Sequence, residues 1–222
     1  MPDRAVVFDL YGTLVDEPTL DETAQLTHGL ADALGVDHER FEQAWLATYE
    51  LRATGAFRSS VETILSSLDA PWDDVRYGTA RALRRSFVER GLRPRADAET
   101  TLAELSRRGY RLGLMTECGD DVPLLWPSSP LAPHVSAAVY TCEIGRRKPA
   151  PVLYELIVER LGVEPEQCTY VGDGGSYELA GAAQLGMRPI LLVVPYSEWL
   201  HPEAQEWQGE RAESLSELLA LL

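Results

Sequence analysis

Apolar residues along this chain follow two rhythms. Short continuous runs, AVVF at 5–8, YRLGLM at 110–115, AAVY at 137–140, CTYV at 168–171 and PILLVV at 189–194, are bounded by charged, glycine or proline residues. Such runs predict strands buried on both faces. Between them, DAETTLAELSRRG at 97–109, PAPVLYELIVERLG at 149–162 and SYELAGAAQLG at 176–186 repeat their apolar residues at helical spacing. Strands alternating with helices predict a parallel sheet covered on both sides.

The alternation stops after the first strand. From Glu17 to about Gly91 the periodicity is helical only, with helices predicted at 19–34, 38–53, 59–68 and 72–90 and turns marked by Gly35, Gly55 and Pro71. The expected architecture is a three-layer α/β, Rossmann-like core of residues 1–16 and 92–222, with a helical cap domain of residues 17–91 inserted after the first strand. An insertion there sits above the strand ends, where open α/β sheets bind ligands. In the tail, Ser214 with Glu217 reads as a capping box and predicts a terminal helix.

Composition narrows the function classes. The 222 residues are 45% hydrophobic and 25% charged, which excludes disordered, collagen-like and membrane classes. A net charge of -15 argues against nucleic-acid binding, since phosphate backbones are held by Lys and Arg. A small anionic substrate stays open, because a helix start, a lysine or a metal can make one site positive inside an acidic protein. Cys118, Cys142 and Cys168 lie far apart in sequence and suggest neither a disulfide framework nor a zinc site. With no charged-then-apolar leader, and PILLVVP as the longest apolar stretch, a cytoplasmic protein away from membranes is expected. The oligomeric state is left open.

Four polar groups follow strand runs: Asp9 after AVVF, Thr116 after RLGLM, Lys148 in RRKPAP beyond AAVY, and Asp173 after CTYVG. In a parallel sheet these ends share one rim. Two neighbouring carboxylates repel unless a cation lies between them, so Asp9 and Asp173 suggest a hard divalent ion, Mg²⁺. A carboxylate nucleophile, Mg²⁺, a hydroxyl donor and a lysine suit attack on a phosphoryl group.

The ordered segments FDLYGTLVD, LMTEC, GRRKPAP and YVGDGGSYEL resemble the four motifs of the haloacid dehalogenase-like hydrolases, and the helical block resembles the cap inserted after the first of them. The resemblance spans about residues 5 to 194. It implies a hydrolase in which Asp9 forms an aspartyl intermediate, Thr116 hydrogen-bonds the phosphoryl group and Lys148 neutralises charge. It further implies that Asp9, Asp173 and the backbone carbonyl of Tyr11 hold Mg²⁺. Glu178 fills the second acidic position of the last motif, through a metal-bound water or Lys148. The implied substrate is a small phosphorylated metabolite.

The chain departs from the phosphatase pattern at Glu178, where the family more often has Asp, at Glu117, where many phosphatases have Asn, and above all at Tyr11. Two positions after the nucleophile the family's phosphatases usually carry an acid-base Asp, whereas this chain has Tyr11, a poor base near neutrality. The 2-haloacid dehalogenases of the family carry Tyr there and dispense with the metal, but their last motif resembles S-S-N, unlike GDG here. A metal-independent dehalogenase and a non-catalytic binding module are therefore the two alternatives. His28, His38, His134 and His201 show no ligand spacing and are expected at surface or structural positions. Trp45, Tyr49 and Phe57 are expected in the core of the helical block, and Arg52 and Arg58 are weighed as anion contacts. Asp120 and Asp121 suit the first turn of a helix.

Overall fold

The computed structural model describes residues 4–195 and 201–222. Its sheet holds β1 (Ala5–Phe8), β2 (Arg111–Thr116), β3 (Ala137–Tyr140), β4 (Cys168–Gly172), β5 (Arg188–Leu192) and β6 (Glu210–Ala212), in the order β3-β2-β1-β4-β5-β6. All neighbours pair in parallel. The five predicted runs supply β1 to β5. The sixth strand, Glu-Arg-Ala, has no apolar run to betray it and is defined by pairing Ile190 with Glu210 at the sheet edge. A short, charged edge strand also discourages pairing with another chain.

Alternation along β1 explains the layers. Val6 and Phe8 pack with Leu102 and Leu105 of α6 (Ala98–Arg107), whereas Ala5 and Val7 pack with Leu153 and Ile157 of α9 (Pro151–Leu161) and Leu179 of α10 (Glu178–Leu185). Both faces are thus dry, as period-2 side chains in a doubly covered sheet require. The strand order reverses at β1, which opens a crevice beyond the ends of β1 and β4.

The block after β1 comprises α1 (Leu20–Leu34), α2 (His38–Ala47), α3 (Tyr49–Thr54), α4 (Phe57–Ser67) and α5 (Asp74–Gly91). Leu30, Phe41, Trp45, Phe57, Val61 and Ile64 form a hydrophobic cluster separate from the two beside the sheet. Thr19 and Glu22 cap α1 reciprocally, and the Asp37 and Asp73 side chains cap α2 and α5.

Three predicted helices differ from the expectation. The helix expected over 38–53 is broken at Thr48, whose hydroxyl donates back to the Ala44 carbonyl at 2.9 Å while Arg52 Nη2 donates to the Trp45 carbonyl at 2.9 Å. These side-chain donors occupy carbonyls at the break. The helix expected from 176 becomes regular only at Glu178, because Ser176 and Tyr177 both hold left-handed backbone at φ +55° and +54°. At the C-terminus the Ser214 hydroxyl accepts from Glu217 N, but the Glu217 carboxylate takes the Glu213 N–H instead of closing the box, and regular helix covers only Leu218–Leu221.

The helical block is tied to the core by ionic and backbone contacts. Asp120 Oδ1 accepts from the Phe57 N–H at 3.0 Å and from Arg81 at 3.1 Å, and buried Asp121 takes Arg81 at 2.9 Å and Arg84 at 3.2 Å. The Thr141 hydroxyl accepts from Cys118 N and donates to the Ala53 carbonyl. Asp121 does begin α7 (Asp121–Leu125), as expected, but both aspartates also receive arginines from α5. No helix among the described residues is long and apolar enough to cross a membrane.

Candidate active site

The rim of the sheet gathers the predicted residues. Asp9 leaves β1 with its N–H bonded to the Val171 carbonyl of β4 at 2.9 Å, so adjacent parallel strands place Asp9 and Asp173 side by side. Gly12 permits the approach: it lies at φ +77°, and a Cβ there would come within 2.0 Å of Asp173 Oδ2. Carboxylate oxygens of Asp9, Asp173 and Glu178 all fall within 4.8 Å of one another, and all three residues are buried.

Lys148 is the cation inside this cluster. Its Nζ lies 2.5 Å from Asp9 Oδ1 and 2.5 Å from Glu178 Oε2, and Glu117 Oε1 fixes its backbone N–H at 2.9 Å. Its side chain is only 3% exposed. The helix predicted over 149–162 starts at Pro151, so Pro149 stands outside its first turn.

Glu178 is held from three sides. Oε2 receives the Tyr170 hydroxyl at 2.7 Å as well as Lys148, and Oε1 receives the Gly174 N–H at 3.1 Å. Both of its oxygens are engaged, so the direct link to Lys148, one of the two roles expected, is present.

Electrostatics follow from this burial. Desolvation raises the Asp9 carboxyl well above its ordinary value, opposed by Lys148 and reinforced by Glu178 and Asp173. The Glu178 carboxyl is likewise raised, mainly by burial, with Lys148 opposing. Burial alone would lower the Lys148 ammonium, but Asp9 and Glu178 outweigh it and hold the lysine protonated. Three buried carboxylates against one ammonium leave two negative charges when all are ionised, one of them offset when His201 beside Asp173 is protonated. A set of hard oxygen donors with this excess fits a hard divalent cation.

Thr116 ends β2 fully buried and lines the cavity of about 220 Å³ formed by these groups; it caps no helix. Neighbouring Glu117 accepts from Arg147 Nε at 3.2 Å, and Arg147 reaches Glu50 of the helical block at 2.6 Å. The Tyr11 side chain lines the same cavity, and burial pushes its phenol above the ordinary value, further from any role as a base.

The structure adds groups that the sequence concealed. His201, expected at a surface or structural position, places Nε2 3.1 Å from Asp173 Oδ2. Glu17 lines the cavity with its carboxyl pushed up to about 7, chiefly by burial and then by Asp173. Tyr49, expected in the core of the block, is 48% exposed and lines the cavity, its ring under the Arg147 guanidinium at 4.6 Å. Trp45 and Phe57 do lie in that core. Arg58 is turned away, paired with Glu62 at 2.9 Å and stacked over Trp72. Cys118 and Cys142, distant in sequence, bring their sulfurs to 3.9 Å as free thiols.

Residues 4–186 match the family model of the haloacid dehalogenase-like hydrolases. The chain belongs to this family. Its relatives within the haloacid dehalogenase-like hydrolases divide by chemistry. It is 25% identical to (S)-2-haloacid dehalogenase 4A of Burkholderia cepacia, over 99% of this chain and 94% of that one. It is 29% identical to ribulose-1,5-bisphosphate 5-phosphatase of Halopiger xanaduensis, over 84% and 83%. Among solved structures it shares its fold with a phosphatase of the family from Thermococcus onnurineus, at a TM-score of 0.70 and 22% identity over 98% of this chain and 97% of that one. Membership establishes a hydrolase and leaves the bond it cleaves to the chemistry of the site.

Proposed function

We propose that this chain is a Mg²⁺-dependent phosphohydrolase acting on a small phosphorylated metabolite in the cytoplasm, with residues 17–91 forming a cap over the strand ends. The observation that carries this reading is the third carboxylate: Asp173 lies with Asp9 and Glu178 inside 4.8 Å, while Lys148 bridges Asp9 and Glu178 and leaves Asp173 with His201 as its one ion-pair partner among the described residues. Asp9, Asp173 and the Tyr11 carbonyl would hold the ion, with Glu178 set behind Lys148 or bound through water. Bound Mg²⁺ would draw charge from the phosphoryl oxygens and let an anionic nucleophile approach them.

The chain's own residues supply the rest. An Asp9 carboxylate oxygen attacks phosphorus, the bond from phosphorus to the ester oxygen breaks, and an aspartyl-phosphate forms. Lys148 favours the ionised form of Asp9 and positions it, and Thr116 donates its hydroxyl to a phosphoryl oxygen. Water then attacks the same phosphorus, the Asp9–phosphorus link breaks, and phosphate leaves. The departing ester oxygen takes a proton that Tyr11 is poorly suited to give. Glu17, in the same cavity with a carboxyl held near neutrality, is the group we assign to donate it and then to accept a proton from the attacking water.

Tyr11 and the full-length dehalogenase relative favour a second reading, a 2-haloacid dehalogenase with Asp9 attacking carbon and halide leaving unprotonated. One experiment separates them: phosphate release from acetyl phosphate and p-nitrophenyl phosphate, and chloride release from 2-chloropropionate, each with Mg²⁺ and with EDTA. Phosphate release that needs Mg²⁺ supports the phosphohydrolase. Chloride release in EDTA overturns it, and neither product, with Mg²⁺ binding seen by calorimetry, supports the binding module.

A further inference from the structure

Beside the carboxylate cluster, beneath the helical block, lies a second cavity of about 210 Å³. Tyr11, Glu17 and Glu117 line both cavities, so the two compartments adjoin. The second is walled by apolar Leu26, Trp45, Phe87 and Val88, and by two guanidinium groups, Arg52 and Arg84.

These arginines differ in what satisfies them. Arg84 gives Nε to Asp121 at 3.2 Å, and the pair Asp120 and Asp121 together balances Arg81 and Arg84. Glu117 is taken by Arg147 and the Lys148 N–H. Arg52 stacks at 3.8 Å over Trp45 and donates Nη2 to the Trp45 carbonyl, but its Nε is buried with no hydrogen-bond partner among the described residues. Burial, then the nearby Arg84 charge, push the Arg52 guanidinium down to about 10. A desolvated cation with an unused donor, facing a cavity, is stabilised by an incoming anion.

We propose that Arg52, with Arg84 beside it, receives a carboxylate borne by the substrate, so that the compound hydrolysed is a small phosphorylated carboxylic acid. This deepens the phosphohydrolase reading and rests on it. A single guanidinium with one donor left unused matches a carboxylate better than a doubly charged phosphate, and the apolar wall suits the short carbon skeleton joining the two anionic groups. The phosphoryl group occupies the Asp9 compartment, and the carboxylate lies past Tyr11, under Trp45.

The test uses ω-phosphonooxy alkanoates of two to five carbons, the alkyl phosphates that lack only the carboxylate, and the corresponding alkanediol bisphosphates. Wild type is expected to favour at least one carboxylate over its alkyl partner by about 10- to 100-fold in kcat/KM. Arg52→Met, which keeps the stem on Trp45, should collapse that ratio, and Arg52→Lys should restore part of it. Melting curves identify a variant that has not folded. Equal turnover of both series, or a ratio unmoved in Arg52→Met, overturns the proposal. Preference for the bisphosphates overturns the carboxylate assignment. If acetyl phosphate is not hydrolysed at all, the phosphohydrolase reading has failed, and calorimetry with inert phosphonoalkanoates still decides the subsite: tighter binding than alkylphosphonates, lost in Arg52→Met, supports it, and equal binding refutes it.

Discussion

The rim of the sheet and the wall of the helical block hold charge in opposite ways. At the rim, Lys148 lies between Asp9 and Glu178, and Glu178 is fixed again by Tyr170 and Gly174, so each position is determined several times over. On the wall, Arg52 is held by the Trp45 ring at 3.8 Å, the Tyr49 ring at 5.7 Å and one carbonyl, with a donor left unused. A fully wired cluster suits a reaction whose geometry must not vary, since preorganised charge is worth most where it cannot relax. A sparsely satisfied wall suits the recognition of whatever is to be transformed.

The sharpest way to break this contrast is at the nucleophile. Asp9→Asn should lower Mg²⁺-dependent phosphate release from acetyl phosphate by at least about 10⁴-fold. Residual turnover near wild type would remove Asp9 from the chemistry and with it the proposed role of the rim.

Lys148→Met tests whether the wiring itself matters. It leaves Asp9 and Glu178 buried without their cation, a loss expected to cost about 3–5 kcal/mol of stability, read as a fall in melting temperature of about 10 °C. Turnover should fall by about 10³-fold. Added Mg²⁺ should recover part of the melting temperature but not the rate, because it relieves carboxylate repulsion without replacing the ammonium that positions Asp9. An unchanged melting curve would mean that the cluster is less interdependent than its distances imply.

Glu17→Gln separates proton transfer from positioning. Alkyl phosphate turnover should drop about 10²-fold, whereas acetyl phosphate, whose leaving group needs little protonation, should lose less than about 10-fold. Equal losses on both substrates would make Glu17 a structural residue and reopen the question posed by Tyr11.

How far each region could be read from sequence follows the same division. Asp9, Thr116 and Asp173 were legible because each ends a continuous apolar run, and a parallel sheet necessarily brings such ends together. Lys148 was legible by its place in the ordered motifs. The strand β6 was not, since Glu-Arg-Ala shows no hydrophobic signal and exists through its neighbour. His201 reaches Asp173 across 28 residues of chain, and no local spacing encodes that contact. Arg58 and Arg52 look alike in the segment ELRATGAFRS, yet the break at Thr48 turns Arg52 inward while Glu62, one turn away, holds Arg58 outside. Arg84 lies in a helix where a surface role is the default, and only its pairing with Asp121 shows that it faces the core.

The smallest expected effect concerns proton linkage between the two regions. The Glu17 carboxyl is raised from 4.5 to about 7, first by burial and then by Asp173. The folded state therefore binds this proton more tightly than the unfolded state does. Stability from this group is fully present below the ordinary carboxyl value and is lost as pH rises through about 7. In metal-free protein, wild type should lose stability between pH 5 and pH 8 relative to Glu17→Gln, by roughly 1 kcal/mol after solvent screening, or about 3 °C in melting temperature. Mg²⁺ should flatten that difference, because a cation at Asp173 removes part of the field that raises Glu17. A pH dependence identical in both proteins would place the Glu17 carboxyl outside the influence of the cluster, and a dependence that Mg²⁺ leaves untouched would put the ion somewhere other than Asp173.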